Sequence, residues 1–430
     1  MESNNYRRDM SWYEPIDPVT LTGSSSFRDR EFDIDETQKT LDAVLKGSFH
    51  LLGHEHKVIL GTNINRRVFP WETRIRNSNA TLSPNIFEFN PLDHISNEPY
   101  LRTLRAKTKT VEKGVYGSFV AQITDPLKLI VGGRISWYNY EDLTNTYNRN
   151  TGAVTSTSLT KYEDNKVFTP YLGLVFDITK QWSAYGSIAE TYQSQASSLK
   201  GPLPGKPLDP VTGRSYEVGV KGGLFNNQLN TALAFYSIKR NGQAVRDQAY
   251  PPTPGDLGSN CCYLNDGRIT SRGVDIEVSG EILPGWQVLA GYTFNDNENK
   301  AESGRYSTIT PKHLFKLWSS YAFQGVLEGL KFGGGLTAQS SYYQEGLANA
   351  YNRTSGQYDG PSVPYEFTEP GRVLVDLFAQ YHLNKHWSAA FNVNNIFDKK
   401  YYQTVTNDNP YAGNYYGEPR NFLASVRYSY

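Results

Sequence analysis

The feature that most constrains this chain is a two-residue alternation of apolar and polar side chains. In the segment 386–395, Trp387, Ala389, Phe391 and Val393 point one way, and His386, Ser388, Asn392 and Asn394 the other. The final segment sets Phe422, Ala424, Val426, Tyr428 and Tyr430 against Asn421, Ser425, Arg427 and Ser429. Val274, Ile276 and Val278 likewise oppose Asp275, Glu277 and Ser279. A period of two with one apolar face specifies half-buried antiparallel strands. Fifteen segments carry it, at about 37–51, 57–72, 103–124, 127–141, 155–176, 181–192, 213–224, 228–239, 267–281, 285–297, 311–323, 330–344, 371–382, 386–395 and 419–430. No helical run competes with them, and no 20–50-residue repeat marks a propeller or solenoid.

The connections alternate as strictly as the side chains. Those at 54–56, 125–126, 178–181, 226–227, 283–285, 325–329 and 384–385 are short. Between them lie long ones rich in Gly, Pro, Asn and Tyr, at about 73–102, 193–212, 240–266, 345–370 and 396–418. Short turns on one rim and long loops on the other describe a transmembrane β-barrel of the outer-membrane type. Trp182, Trp286 and Trp387 each follow a short turn at an apolar-facing position, so they are expected at one height in an aromatic girdle.

Composition agrees. A barrel absorbs 430 residues as one domain, 1–430. Lys plus Arg equals Asp plus Glu at 43 each, which builds no field for nucleic acid. Tyrosine is in excess, 31 against 20 Phe and 7 Trp, and its apolar body and wet tip suit a boundary between oil and water. No stretch approaches the ~18–20 apolar residues of a membrane helix, and a closed barrel is the other way to cross a bilayer with the backbone satisfied. The polar opening, residues 1–9, does not read as a secretory signal. Together with an odd strand count and some 36 loop-like residues before the first strand, it points to a fragment lacking earlier strands.

The motif Phe391-Asn-Val-Asn-Asn-Ile-Phe-Asp-Lys-Lys-Tyr-Tyr402 resembles the penultimate strand of the TonB-dependent siderophore receptors. Arg214-Ser-Tyr-Glu-Val-Gly-Val-Lys221, Ser271-Arg-Gly-Val-Asp-Ile-Glu277 and Pro311-Lys-His-Leu-Phe-Lys316 support the resemblance. The terminal aromatic Tyr430 resembles part of the address read by the barrel-assembly machinery. The resemblance implies a 22-stranded barrel, of which this chain supplies about the last fifteen strands, without plug or TonB box. It also implies a cell outer membrane location in a Gram-negative bacterium, contact with outer-membrane lipid and lipopolysaccharide, and TonB coupling through the missing N-terminal part. The segment Ser259-Asn-Cys-Cys-Tyr-Leu-Asn-Asp-Gly267 resembles the coprogen and rhodotorulic acid branch, whose ligands are ferric hydroxamates.

A preformed ferric chelate fills its own metal shell, so no catalytic pair, cofactor or protein ligand to iron is expected. Tyr, Trp and Arg at the loop-side mouth serve by stacking, hydrogen bonding and cation–π contact. The candidates are Tyr342, Tyr343, Tyr365, Tyr411, Tyr415, Tyr416 and Arg240. Asp275, Glu277 and Asp376 are expected to face the lumen, beside arginines or water. Cys261 and Cys262 are candidates for a vicinal disulfide that stiffens a loop. His54 and His56 read as part of a solvated turn rather than a metal site. The competing reading is a plugless porin or surface adhesin without energy coupling. A secreted carbohydrate enzyme is disfavoured, because it leaves the long one-sided strands and the aromatic terminus unexplained.

Overall fold

The computed structural model describes residues 2–12, 20, 25–76, 81–82, 98–195, 198–202, 205–247, 249–250, 261–299, 304–305, 310–404 and 415–430. Sixteen long strands run in chain order: β1 Glu2–Trp12, β2 Ser25–Leu51, β3 His54–Arg76, β4 Leu101–Thr124, β5 Leu127–Tyr147, β6 Val154–Asp177, β7 Trp182–Gln193, β8 Val211–Leu224, β9 Leu229–Arg246, β10 Tyr263–Leu283, β11 Trp286–Asn299, β12 His313–Ala322, β13 Leu330–Gln339, β14 Arg372–His382, β15 Trp387–Asn394 and β16 Asn421–Tyr428. Each pairs antiparallel with the next, from β1–β2 to β15–β16. The result is one continuous meander. Among the described residues, β1 and β16 form no ladder with each other.

Two expectations about the chain's start are corrected. Two stretches expected as loop are strand: Glu2–Trp12 pairs in register with residues 27–37, and β2 begins at Ser25. Among the described residues the count of long strands is therefore even, not odd. The physical reason is length. β2 has 27 residues, ~90 Å at ~3.3 Å each, whereas a tilted membrane strand needs only ~9–11 residues. Beyond the bilayer no apolar face is required, so β1 and the outer half of β2 lack the alternation that marks the other strands.

Cross-strand partners share a face, so the register fixes which side chains stand together. Leu45 pairs with Leu60, Val115 with Ile135, Leu172 with Ile188, Val218 with Phe235, Ile276 with Tyr292, and Val393 with Phe422. This apolar face has no protein over it; Leu45 is 69% exposed and Phe422 63%. Few apolar side chains are buried, because the sheet is a single layer. A belt of this extent is covered only by lipid, so these strands cross a membrane.

Trp182, Trp286 and Trp387 are each the first residue of their strand, on the lipid face beside Gly222, Tyr321 and Tyr428. They form the girdle on the rim of short turns. His56 departs from the solvated-turn expectation. The turn is made by Leu52 and Gly53, and His56 is buried between Phe49 and Phe119 at ring distances of 5.5 and 5.8 Å.

On the opposite, polar face, aromatic rings lie over glycines of the neighbouring strand. Tyr116 covers Gly61, Tyr171 covers Gly132, Tyr185 covers Gly219 and Tyr236 covers Gly273. A Cβ at Gly273 would stand 2.2 Å from the carbonyl oxygen of Phe294 and 2.3 Å from the Tyr236 hydroxyl. The backbone atom cannot yield cheaply. Gly273→Ala is expected to cost about 1–3 kcal/mol by overpacking. It should lower the temperature at which the folded electrophoretic band is lost, while Gly291→Ala, with only the carbonyl oxygen of Ile276 at 3.9 Å, should not.

Candidate functional site

The meander puts the strand ends that lead into the long connections on one rim, and one of these connections is itself a paired hairpin. Past β13, Tyr342–Asn349 pairs with Ser362–Glu369 in a hairpin absent from the sequence expectation. Its tip closes with the Tyr351 and Tyr358 rings edge to face at 5.1 Å. At its foot the hairpin meets Arg372, the first residue of β14. Arg372 pairs with Glu369 at 3.7 Å, donates from Nη1 to the Tyr402 carbonyl at 3.2 Å and lies 4.2 Å above the Tyr401 ring. Tyr342 donates its hydroxyl to the same carbonyl at 2.7 Å, and the Tyr402 amide donates to Glu369 at 3.2 Å.

From this brace Tyr402 carries Tyr416, stacked at 4.5 Å with the two hydroxyls 3.0 Å apart. The neighbouring Tyr416 hydroxyl pushes the Tyr402 phenol up. Tyr416 is 70% exposed and Tyr415 51%, so both face whatever approaches this rim. Tyr342 is 4% exposed, with its ring beneath Arg372 and its hydroxyl already engaged, so it serves as support rather than as a contact surface. Tyr343 and Tyr365 are half-buried within the hairpin, and Tyr411 lies outside the described residues.

Arg240 belongs to a different cluster. It points from β9 to the polar face and donates to Gln193 at 2.8 Å and Gln243 at 3.2 Å. Nearby, Gln195 ties three segments together by donating to the carbonyls of Asp209 and Gly242 and accepting from the Ala244 amide. Cys261 and Cys262, joined by a disulfide, complete this corner, where Arg246 donates to the Cys261 carbonyl.

Sequence reasoning missed a third group, on the polar face of β4–β6. The register sets Glu112 beside Tyr138, Tyr138 beside Asp164, and Tyr140 beside Tyr162. These residues stand beyond Trp137, which closes the apolar belt on β5, and so lie outside the bilayer. The Tyr162 hydroxyl donates to Asp164, which is 94% buried and whose carboxyl is raised chiefly by that burial. Burial lifts the Tyr140 phenol to about 12. Arg134 reaches across to Asn63 at 2.9 Å. A cavity of about 500 Å³ opens here, lined by Glu112, Arg134, Tyr138, Thr169 and Tyr192. The signal was in the alternation: Tyr138, Tyr140 and Asp142 oppose Trp137. On the polar face Asp275 accepts from the Thr293 hydroxyl and Asp376 from the Asn395 amide, whereas Glu36 pairs with Arg67 at 2.6 Å. Among the described residues no cluster of His, Cys, Asp and Glu could hold a metal ion.

Residues 2–396 match the family model described as TonB dependent receptor-like, beta-barrel. The chain is 30% identical to the ferric-pyoverdine 358 receptor of Pseudomonas putida over 96% of its own length and 46% of that protein. It is 32% identical to the ferripyoverdine receptor of Pseudomonas aeruginosa over 91% of its length and 44% of that protein. The solved ferripyoverdine receptor of the Pseudomonas aeruginosa outer membrane, bound to ferripyoverdine, superimposes with a TM-score of 0.78 at 27% identity. That match covers 99% of this chain and 52% of the solved one. The chain thus spans about half the length of the relatives it matches. A lipid-facing meander with short turns on one rim and long loops on the other is the wall such receptors share, and the chain belongs to the TonB-dependent receptor-like β-barrel family.

Proposed function

We propose that this chain is barrel wall, 1–430, of an outer-membrane receptor that imports ferric siderophores of the hydroxamate type. In this reading TonB supplies the energy through a plug encoded outside these residues. The observation that carries the reading is the rim surface made by Tyr415 and Tyr416, held out on the stacked Tyr402 and backed by Arg372. Flat aromatic faces with hydroxyl tips suit an amide-rich, partly apolar chelate. The tyrosines of β5 and β6 continue that chemistry down the polar face.

The test is binding of ferric coprogen, a trihydroxamate chelate, to a receptor carrying this barrel, followed by tryptophan fluorescence. Each stacking or hydrogen-bonding tyrosine is worth on the order of 1 kcal/mol, so single changes at Tyr411, Tyr415 or Tyr416 should weaken binding only several-fold. The triple alanine variant should lose about a hundredfold. Unchanged binding by the triple variant removes the rim assignment, and preference for a catecholate chelate removes the hydroxamate assignment. Iron uptake that persists in cells lacking TonB favours the porin reading.

A further inference from the structure

We propose that the cavity lined by acids and tyrosines on the polar face of β4–β7 is a subsite for a primary ammonium arm carried by the imported chelate. This inference rests on the chelate reading above and adds a charge requirement that the rim tyrosines do not impose. Glu112 is exposed at the cavity wall on β4, in register with Tyr138, and Tyr138 in turn stands beside Asp164. Tyr162 occupies Oδ1 of Asp164 by donating its hydroxyl. The other oxygen, Oδ2, is buried and has no hydrogen-bond partner among the described residues. A buried acceptor left unmatched is uncommon in a folded protein and asks for a donor.

The local charge is negative and unanswered. Glu112, Asp142, Asp164 and Asp209 gather here and make no ion pair among the described residues. The nearby cations are engaged elsewhere. Arg134 lines the cavity but donates to Ser136 and Asn63, each at 2.9 Å. Arg67 is held by Glu36 at 2.6 Å, and Arg214 by Glu190. Lys113 is on the opposite face, because it pairs with Trp137 while Glu112 pairs with Tyr138. Burial raises the Asp164 carboxyl and the neighbouring Asp209 raises it further, as expected where no cation stands beside it.

Three features set the chemistry of the missing cation. Among the described residues no group of carboxylates is tight enough to hold a metal ion, so the cation is organic. Tyr138 and Tyr192 line the cavity, and their ring faces attract an alkylammonium while packing against its methylenes. The carboxylate oxygens are offered singly, since Tyr162 has taken Oδ1 of Asp164. Separate acceptors on Glu112, Asp164 and the phenols suit the three donors of an ammonium, whereas a guanidinium needs a planar pair of oxygens. The cavity, about 500 Å³, has room for an aminoalkyl arm. It opens on the polar face beyond the membrane belt, the face along which the chelate is read to travel.

The test compares ferrioxamine B, a ferric trihydroxamate that ends in a primary ammonium arm, with its N-acetyl derivative, which lacks only that charge. Both are titrated against a receptor carrying this barrel. The charged chelate is expected to bind at least tenfold more tightly, a comparison that needs no variant. Glu112→Gln, a change at an exposed position, should cut that preference to about threefold or less with the folded electrophoretic band retained. Asp275→Asn, a control carboxylate on the same face of β10, should leave it intact. In parallel, the full chain in neutral detergent is titrated with pentylammonium chloride and with pentanol, followed by line broadening of the probe's proton resonances. Pentylammonium is expected to bind at least tenfold more tightly than pentanol, whether or not any chelate is imported. Equal binding of the two chelates overturns the proposal and leaves the import reading standing, and so does pentylammonium bound no more tightly than pentanol. Pentylammonium bound while neither chelate binds would overturn the import reading and with it the assignment of the cation to a chelate. Pentylguanidinium bound more tightly than pentylammonium would overturn the choice of an ammonium.

Discussion

Asn395→Ala is expected to lower the stability of the folded wall by about 3–5 kcal/mol, although the residue touches no ligand surface. Asn395 is 5% exposed and stands at φ 49°, in the left-handed region, where β15 ends. Its side-chain amide donates to the carbonyls of Lys399 and Glu418 at 2.9 and 3.0 Å and accepts from the Lys399 amide at 2.9 Å. Its own amide donates to Asp376 on β14. One side chain thus joins the end of β15, the loop after it and the segment that leads into β16. Alanine removes three hydrogen bonds, strands half-buried backbone groups and meets the left-handed penalty of ~1–2 kcal/mol. Asn395→Gly relieves only that last part, so it should recover about 1 kcal/mol. The measurement is the temperature at which the folded electrophoretic band converts to the unfolded one. Glycine restoring full stability would show that backbone conformation alone matters here, and alanine behaving like the unaltered chain would remove the staple altogether.

That residue also shows what was legible in the sequence. The motif from Phe391 to Tyr402 was read for its resemblance, and its physical content became visible only in the fold: Asn395 staples three segments, and Asp398, at φ 52°, accepts from the Arg420 amide. The fifteen expected segments correspond to β2–β16, because a bilayer imposes one apolar face wherever a strand crosses it. Where no bilayer presses, the rule lapses. This is why Glu2–Trp12, the outer half of β2 and the hairpin Tyr342–Asn349 with Ser362–Glu369 escaped notice.

The site was less readable than the wall for a related reason. Tyrosine content pointed to the loop-side rim, but alternation cannot say which tyrosine is exposed there and which is a support. Tyr342 and Tyr416 look alike in the sequence, and the fold buries one and presents the other. The polar-face tyrosines Tyr138 and Tyr140 could have been assigned from their phase against Trp137, whereas the carboxylate partners Glu112 and Asp164 required the register.

The brace under the hairpin gives the second large effect. Arg372 and Glu369 have side chains only 6% and 8% exposed, so neither charge is satisfied by bulk water. Arg372→Ala leaves Glu369 buried with the Tyr402 amide as its remaining donor here, a loss of about 3–5 kcal/mol by analogy with broken buried pairs. The cost falls on docking of the hairpin rather than on the meander, because the belt strands do not depend on this contact. The hairpin is therefore expected to be cleaved by protease near its turn, between Asn352 and Gln357, while the membrane belt keeps its folded mobility. Tyr402 loses the Arg372 contact to its carbonyl at the same time, so ferric coprogen should bind at least tenfold more weakly to a receptor carrying this change. A double change, Arg372→Leu with Glu369→Leu, removes both charges and keeps apolar bulk, and should recover much of the protease resistance. Resistance unchanged in Arg372→Ala would show that the hairpin stands without its brace. Resistance lost with chelate binding intact would separate the hairpin from the rim surface that Tyr415 and Tyr416 present.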